Sequence, residues 1–206
     1  MTVMLLELES RPGKARSARL KLTDEAADVN GVVFAWRDVT RLLYRAVDQH
    51  VNGSYLHTTF TVGLGDAKRT ATFMMTSGTT GALKTKIDHE TRSAYQHRWG
   101  QAVDVLERYA GTRIATEAVD AVRRGTPVEL ADVRLDGAGI HRGSLFRKTI
   151  AWPEYAGVKR ENVYLHLLAD RAGKTPKARI SVPNGSWNVA LLPRVLDALH
   201  GLRTAG

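Results

Sequence analysis

The chain holds 206 residues, with 30 Lys and Arg against 21 Asp and Glu for a formal net charge of +9, and no cysteine. The missing cysteines exclude disulfides, thiolate metal sites and a cysteine nucleophile, and a reducing, cytoplasmic setting is expected. A hydrophobic content of 43% with 25% charged residues excludes the composition of a disordered chain and predicts a folded one.

No stretch approaches the roughly 18 apolar residues of a membrane-spanning helix, so any membrane contact is expected to be peripheral. Met1 to Ser10 carries Glu7 and Glu9 and has neither a basic leader nor a long apolar core; it does not read as a signal peptide. The length suits one large domain or two small ones of about 100 to 150 residues. Residues 1–111 hold 15 basic against 12 acidic side chains and residues 112–206 hold 15 against 9. The second half is therefore the better candidate for a surface that meets an anionic partner.

In chain order, Asn30-Gly31 and Asn52-Gly53 predict tight type I′ hairpin turns, because both positions there need positive φ. Phe34 to Val39 reads as an apolar strand around Trp36. Ser54 to Leu64 is rich in Thr, Tyr, Phe and Val, and Arg69 to Thr76 follows a Gly-Asp turn, which predicts a meander. Thr76 to Lys86 is a polar insertion. Trp99, Ala102, Val103, Leu106 and Tyr109 recur at helical spacing and predict an amphipathic helix ending at Gly111. Arg113 to Arg124 reads as a short linker helix stopped by Gly125-Thr126-Pro127. Strands are expected at Val128 to Leu130 and around Trp152. Leu192, Val195, Leu196, Leu199 and Leu202 predict a second amphipathic helix, with Pro193 in its first turn and Gly201 at its end.

Several of these elements occur twice in the same order. Phe34-Ala35-Trp36-Arg37-Asp38-Val39 parallels Ile150-Ala151-Trp152-Pro153-Glu154-Tyr155, and Tyr55-Leu56-His57 parallels Tyr164-Leu165-His166. The turns Gly65 to Lys68 and Asp170 to Lys174 follow, and then Val105 to Gly111 matches Val195 to Gly201. Upstream, Arg19-Leu20 matches Arg134-Leu135. A repeat of this period predicts two copies of one module, the first in residues 1–111 and the second, together with the linker helix, in residues 112–206.

The Val128 to Ile140 stretch, the Ile-Ala-Trp-Pro-Glu-Tyr element, a hairpin pair and a terminal amphipathic helix together resemble the bacterial pleckstrin-homology-like domains, best over residues 128–201. Residues 14–111 resemble the same family through Phe34 to Val39 and the closing helix. The resemblance implies an α+β, mainly β fold: two modules, each a bent antiparallel sheet or open barrel capped by a C-terminal helix. It implies binding or assembly rather than catalysis and no particular ligand; no cofactor is expected. In the membrane-binding members, basic residues cluster in the loop joining the first two strands. By that reading copy one is acidic there, with Asp24, Glu25 and Asp28, whereas copy two keeps His141, Arg142, Arg147 and Lys148.

The seven histidines form no His-Glu-x-x-His and no i, i+4 pair, so no metal site is expected. Gly78 to Thr85 resembles a phosphate loop but lacks Gly directly before the Lys, and a hairpin tip is the expectation. Asp38 and Glu154, two residues after each Trp, read as strand-edge or turn residues rather than an acid/base pair. Trp36 and Trp152 read as core anchors rather than base-stacking platforms. What remains is a candidate anion-binding set of His141, Arg142, Arg147, Lys148, Lys159 and Arg160. Two functions follow: a module that recognises a protein partner or self-associates through sheet edges, and a peripheral binder of anionic lipid or nucleic acid through the basic turns of copy two.

Overall fold

In a computed structural model the described residues are 2–10, 17–77, 89–143, 148–161, 163–170 and 175–204. They are mainly β, in four antiparallel sheets. The chain divides into two compact units, Met1–Gly111 and Thr112–Gly206.

Unit 1 opens with a four-stranded meander of β1 (Met4–Ser10), β2 (Ala18–Thr23), β3 (Ala26–Val29) and β4 (Val32–Ala35). Its strands alternate as half-buried strands must: Leu20 and Leu22 are fully buried while Arg19 and Lys21 point outward. A single 3₁₀ turn, Trp36–Asp38, carries the chain into a three-stranded meander of β5 (Arg41–Val51), β6 (Ser54–Gly65) and β7 (Thr70–Ser77). The two Asn-Gly turns have the expected positive φ, 56° and 86° at Asn30 and Gly31, 51° and 78° at Asn52 and Gly53. Helix α1 (His89–Leu106) then lies against β6, β7 and β1. Ala102 and Leu106 are buried in that contact. Trp99 sets its ring 6.0 Å from Phe60 and donates its indole N–H to the Thr61 carbonyl at 3.1 Å.

Unit 2 begins with α2 (Thr112–Arg123), whose Ile114, Ala115, Ala118, Val119 and Val122 are buried. Gly125, at φ +82°, closes it, with the Gly125 and Thr126 N–H groups donating to the Val122 and Ala121 carbonyls. The four-stranded meander is β8 (Val128–Leu130), β9 (Val133–Leu135), β10 (Gly139–Arg142) and β11 (Lys148–Ala151). The 3₁₀ turn Trp152–Glu154 follows, and then the three-stranded meander β12 (Tyr155–Arg160), β13 (Tyr164–Ala169) and β14 (Lys177–Pro183). Helix α3 (Leu192–Thr204) closes the unit, burying Leu192, Val195, Leu196 and Leu199 on one stripe. Asp38 and Glu154 both lie in the 3₁₀ turns.

After α2, unit 2 runs through the same series of elements as unit 1, and their hydrogen bonds give a common frame. Each indole N–H donates at 2.9 Å to a carbonyl at the end of the second strand, Trp36 to Thr23 and Trp152 to Asp136. Ala27 pairs with Phe34 as Ile140 pairs with Ile150. Both tryptophans are buried, at 6% and 2% exposure, which leaves no ring face for stacking a base.

That frame corrects several expectations. Residues equivalent to Arg134-Leu135 are Lys21-Leu22, not Arg19-Leu20, a slip of two that keeps the same face because strand side chains alternate with period 2. Tyr55-Leu56-His57 and Tyr164-Leu165-His166 both lie near their hairpin tips, but Tyr164 opens its strand where Ser54, not Tyr55, opens the other, and the triplets differ in depth in the sheet. Leu165 is buried and Leu56 is 43% exposed, since the β5–β6 hairpin is far longer than β12–β13. Gly111 ends no helix: it closes a π-helical turn, Glu107–Gly111, and helical Thr112 follows. Gly201 likewise lies inside α3. The Gly78 to Thr85 loop lies outside the described residues, as does most of the Asp170 to Lys174 turn.

Candidate functional site

The family resemblance puts His141, Arg142, Arg147 and Lys148 in the loop between the first two strands, whereas the structure has His141 and Arg142 on β10 and Lys148 on β11, the third and fourth strands of unit 2. The first pair, β8 and β9, is used up earlier by two three-residue strands joined at Ala131 and Asp132, both in the left-handed region at φ 53° and 62°. Asp24 and Glu25 of unit 1 likewise lie between β2 and β3, because β1 precedes them.

Within this hairpin the candidates separate by chemistry. The His141 side chain is only 23% exposed, with Nε2 3.0 Å from Asp136 Oδ1 and Nδ1 3.3 Å from Thr149 Oγ1. An ionised carboxylate only accepts, so Nε2–H donates to Asp136, and Nδ1 shares a hydrogen bond with the Thr149 hydroxyl. His141 is thus a strut across the sheet, with both ring nitrogens committed, and is removed from the anion set. Burial pushes the Asp136 carboxyl up, but the His141 ring and the Ala138 and Gly139 backbone N–H groups outweigh it and hold Asp136 below its ordinary value. Arg142 and Lys148 remain. They stand directly opposite each other across the two strands, a like-charge pair of the kind that disfavours strand pairing, and neither has an ion-pair partner among the described residues. Arg147 lies outside the described residues.

Lys159 and Arg160 belong to a different sheet, on β12, where its hairpin with β13 turns. The set therefore divides between two hairpins. The Lys159 ammonium is 2.9 Å from Glu161 Oε1, and His166 Nε2 is 3.2 Å from the other oxygen of the same carboxylate. His166 Nδ1 is 2.9 Å from the Ser181 hydroxyl, so this histidine too is held on both sides. Lys159 and then His166 draw the Glu161 carboxyl below its usual value. Arg160 is exposed and has no ion-pair partner among the described residues. Beside them Val163 and Tyr164 are 61% and 44% exposed. Lys159, Arg160, Glu161, Val163 and Tyr164 line a cavity of about 480 Å³ at the tip.

No protein-family model, curated protein or solved structure matches the chain. The functional reading therefore rests on residues and geometry. Among the described residues no group of three or more His, Asp or Glu is placed to hold a metal ion, and no helix is long and apolar enough to cross a membrane.

Two features escaped the sequence. Each unit ties its closing helical segment to its second sheet through a tyrosine: Tyr44 donates to Glu107, and Tyr155 donates to Asp197 at 3.3 Å. Burial, then the Asp197 charge, pushes the Tyr155 hydroxyl well above its usual pKa, so it stays a neutral donor. The matched acids Glu107 and Asp197 were the available signal. The other is the β5–β6 arm of unit 1. Every residue of β5 from Arg45 to Val51 is exposed, including Val47 and Val51 at 41% and 54%. Near the arm, Asp48 is held by the Thr58 hydroxyl at 2.6 Å and by Arg92 at 3.1 Å, and the Arg92 guanidinium sits 5.1 Å over the Tyr55 ring.

Proposed function

We propose that the chain is a non-catalytic binding or assembly module built from two pleckstrin-homology-like units, and that unit 1 associates with a second copy of itself through the outer edge of β5. In support of the modular reading, each unit runs as a four-stranded meander, a 3₁₀ turn, a three-stranded meander and a closing helix. The histidines nearest the candidate cations, His141 and His166, serve as struts, which favours binding over acid/base chemistry.

The observation that carries the assembly reading is the β5 edge. β5 ends its sheet, and among the described residues no strand pairs with its outer side. An unpaired row of N–H and C=O groups is a template for another strand. Antiparallel pairing of two β5 strands about a two-fold axis places Val47 opposite its own copy and Arg45 opposite Gln49, without facing like charges. Such a contact is self-complementary, as a two-fold dimer requires. The bulge between Gln49 and His50 ends the regular stretch and fixes its length.

Sedimentation velocity over a range of concentrations tests this. The wild type should dimerise at tens of micromolar, and Val47→Lys with Val51→Lys should be monomeric. The fold should survive, because exposed substitutions typically change stability by about 0.5 kcal/mol or less. A wild type that stays monomeric at several hundred micromolar overturns the proposal, as does a dimer unaffected by the two lysines.

A further inference from the structure

The exposed large hydrophobics of unit 2, among the described residues, are Val163 and Tyr164. They sit on the same hairpin tip as Lys159 and Arg160 and line the same cavity. Water gives no reason to keep a valine 61% exposed three residues from Arg160. At the boundary of an anionic bilayer the combination is coherent. Apolar side chains enter the acyl boundary, a tyrosine ring sits at headgroup level with its hydroxyl outward, and cations with long apolar stems reach the phosphates. The carboxylate on the tip, Glu161, is engaged by Lys159 and His166, whereas Arg160 has no ion-pair partner among the described residues. The cavity of about 480 Å³ gives a phosphate headgroup a concave seat beside the two cations.

We propose that the β12–β13 tip of unit 2 docks on an anionic lipid surface, with Lys159 and Arg160 on the headgroups and Val163 and Tyr164 inserted between them. Val163 decides against nucleic acid as the partner: phosphates and base edges are read by charged and polar groups and by stacking, and an aliphatic side chain 61% exposed has no part in that. This inference goes beyond self-association through β5 and stands or falls separately, since it uses no residue of unit 1.

The chain has no cysteine, so Val163→Cys can carry a single environment-sensitive fluorophore. On mixing with vesicles of phosphatidylcholine and phosphatidylserine, the label should shift to the blue and gain intensity; with phosphatidylcholine alone the change should be slight. Cosedimentation supplies the affinities. Lys159→Gln with Arg160→Gln should weaken binding by about 25-fold, at about fivefold for each cation near such a surface. Val163→Ser with Tyr164→Ser should weaken it at every salt concentration. Circular dichroism checks that both variants fold. The proposal is overturned by a wild type that ignores anionic vesicles. It is overturned equally by serine variants that bind as the wild type does, which would leave only diffuse attraction to a basic protein. An oligonucleotide that binds more tightly than the vesicles and is lost with Arg160 but not with Val163 overturns it in favour of nucleic acid.

Discussion

Replacing Trp152 with Ala removes the largest fully buried side chain of the molecule, together with the indole hydrogen bond to the Asp136 carbonyl at 2.9 Å and the edge contact with Tyr155 at 6.4 Å between ring centroids. Large aromatic truncations in cores cost about 3 to 5 kcal/mol, and leaving the Asp136 carbonyl without its donor adds about 1 kcal/mol or more. Against a typical domain stability of about 5 to 15 kcal/mol, the lower bound already takes much of what unit 2 has. For a domain near 100 residues each kcal/mol is worth about 4 to 8 °C, so its midpoint should fall by about 12 °C or more. Urea titration followed by circular dichroism measures the loss. Trp152→Phe, which fills most of the space but cannot donate, should fall between the alanine variant and the wild type. An unchanged midpoint for Trp152→Ala would refute the reasoning that this ring and its hydrogen bond anchor the corner between the two sheets of the unit.

Gly139→Ala should also destabilise unit 2, by about 1 to 3 kcal/mol as overpacking does. Its new Cβ would collide with the Ile150 carbonyl oxygen and lie 3.0 Å from Ala151 Cα, and neither backbone atom can swing aside; thermal melting reads the loss. The Asp136 carboxyl is held below its unfolded value, so its contribution to stability is complete at neutral pH, above about 3.9, and is lost as pH falls through the folded-state value. Asp136→Asn should therefore be less stable at pH 7, and the gap should narrow in denaturation midpoints measured from pH 5 down to pH 2.

The hairpins were legible because their causes are local, whereas both tryptophans, expected inside apolar strands, sit in 3₁₀ turns that carry the chain from one sheet to the next. Asn-Gly at positive φ, Ser54 to Leu64 with its run of β-forming side chains, and the stripe of Leu192, Val195, Leu196 and Leu199 each carry their reason within a few residues. β1 was not read, although Leu6, Glu7, Leu8 and Glu9 alternate; its strand identity is settled only by its antiparallel pairing with β2. Gly111 misled for a physical reason as well. A glycine after a helical stripe reads as a cap when the chain needs positive φ, but here a Cβ would press on the Glu107 carboxylate at 2.5 Å. Glu107 is the partner of Tyr44 in β5. The small residue answers to a contact 63 residues apart in sequence, beyond any local pattern. The candidate site was half legible for the same reason: charge can be counted along a chain, but Asp136 and Thr149 must be in place before His141 is seen to be spoken for.

The shared frame also separates what the units keep from what they vary. They keep the indole-to-carbonyl hydrogen bond, the apolar pair behind it, and a tyrosine tied to an acid on the closing helical segment. They vary the ends of hairpins. The position that holds Val29 opposite Val32 in unit 1 holds Arg142 opposite Lys148 in unit 2. Unit 1 instead extends β5 and β6 into an arm with exposed Val47, Val51 and Leu56, and unit 2 stops short at a tip with Lys159, Arg160, Val163 and Tyr164. Facing like charges and exposed aliphatics do nothing for the unit that bears them. Corners that hold the core need the same chemistry in both copies, whereas surfaces that meet different partners need not, so the divergence of the hairpin ends points to two contacts of different kinds: one apolar strand edge and one cationic tip.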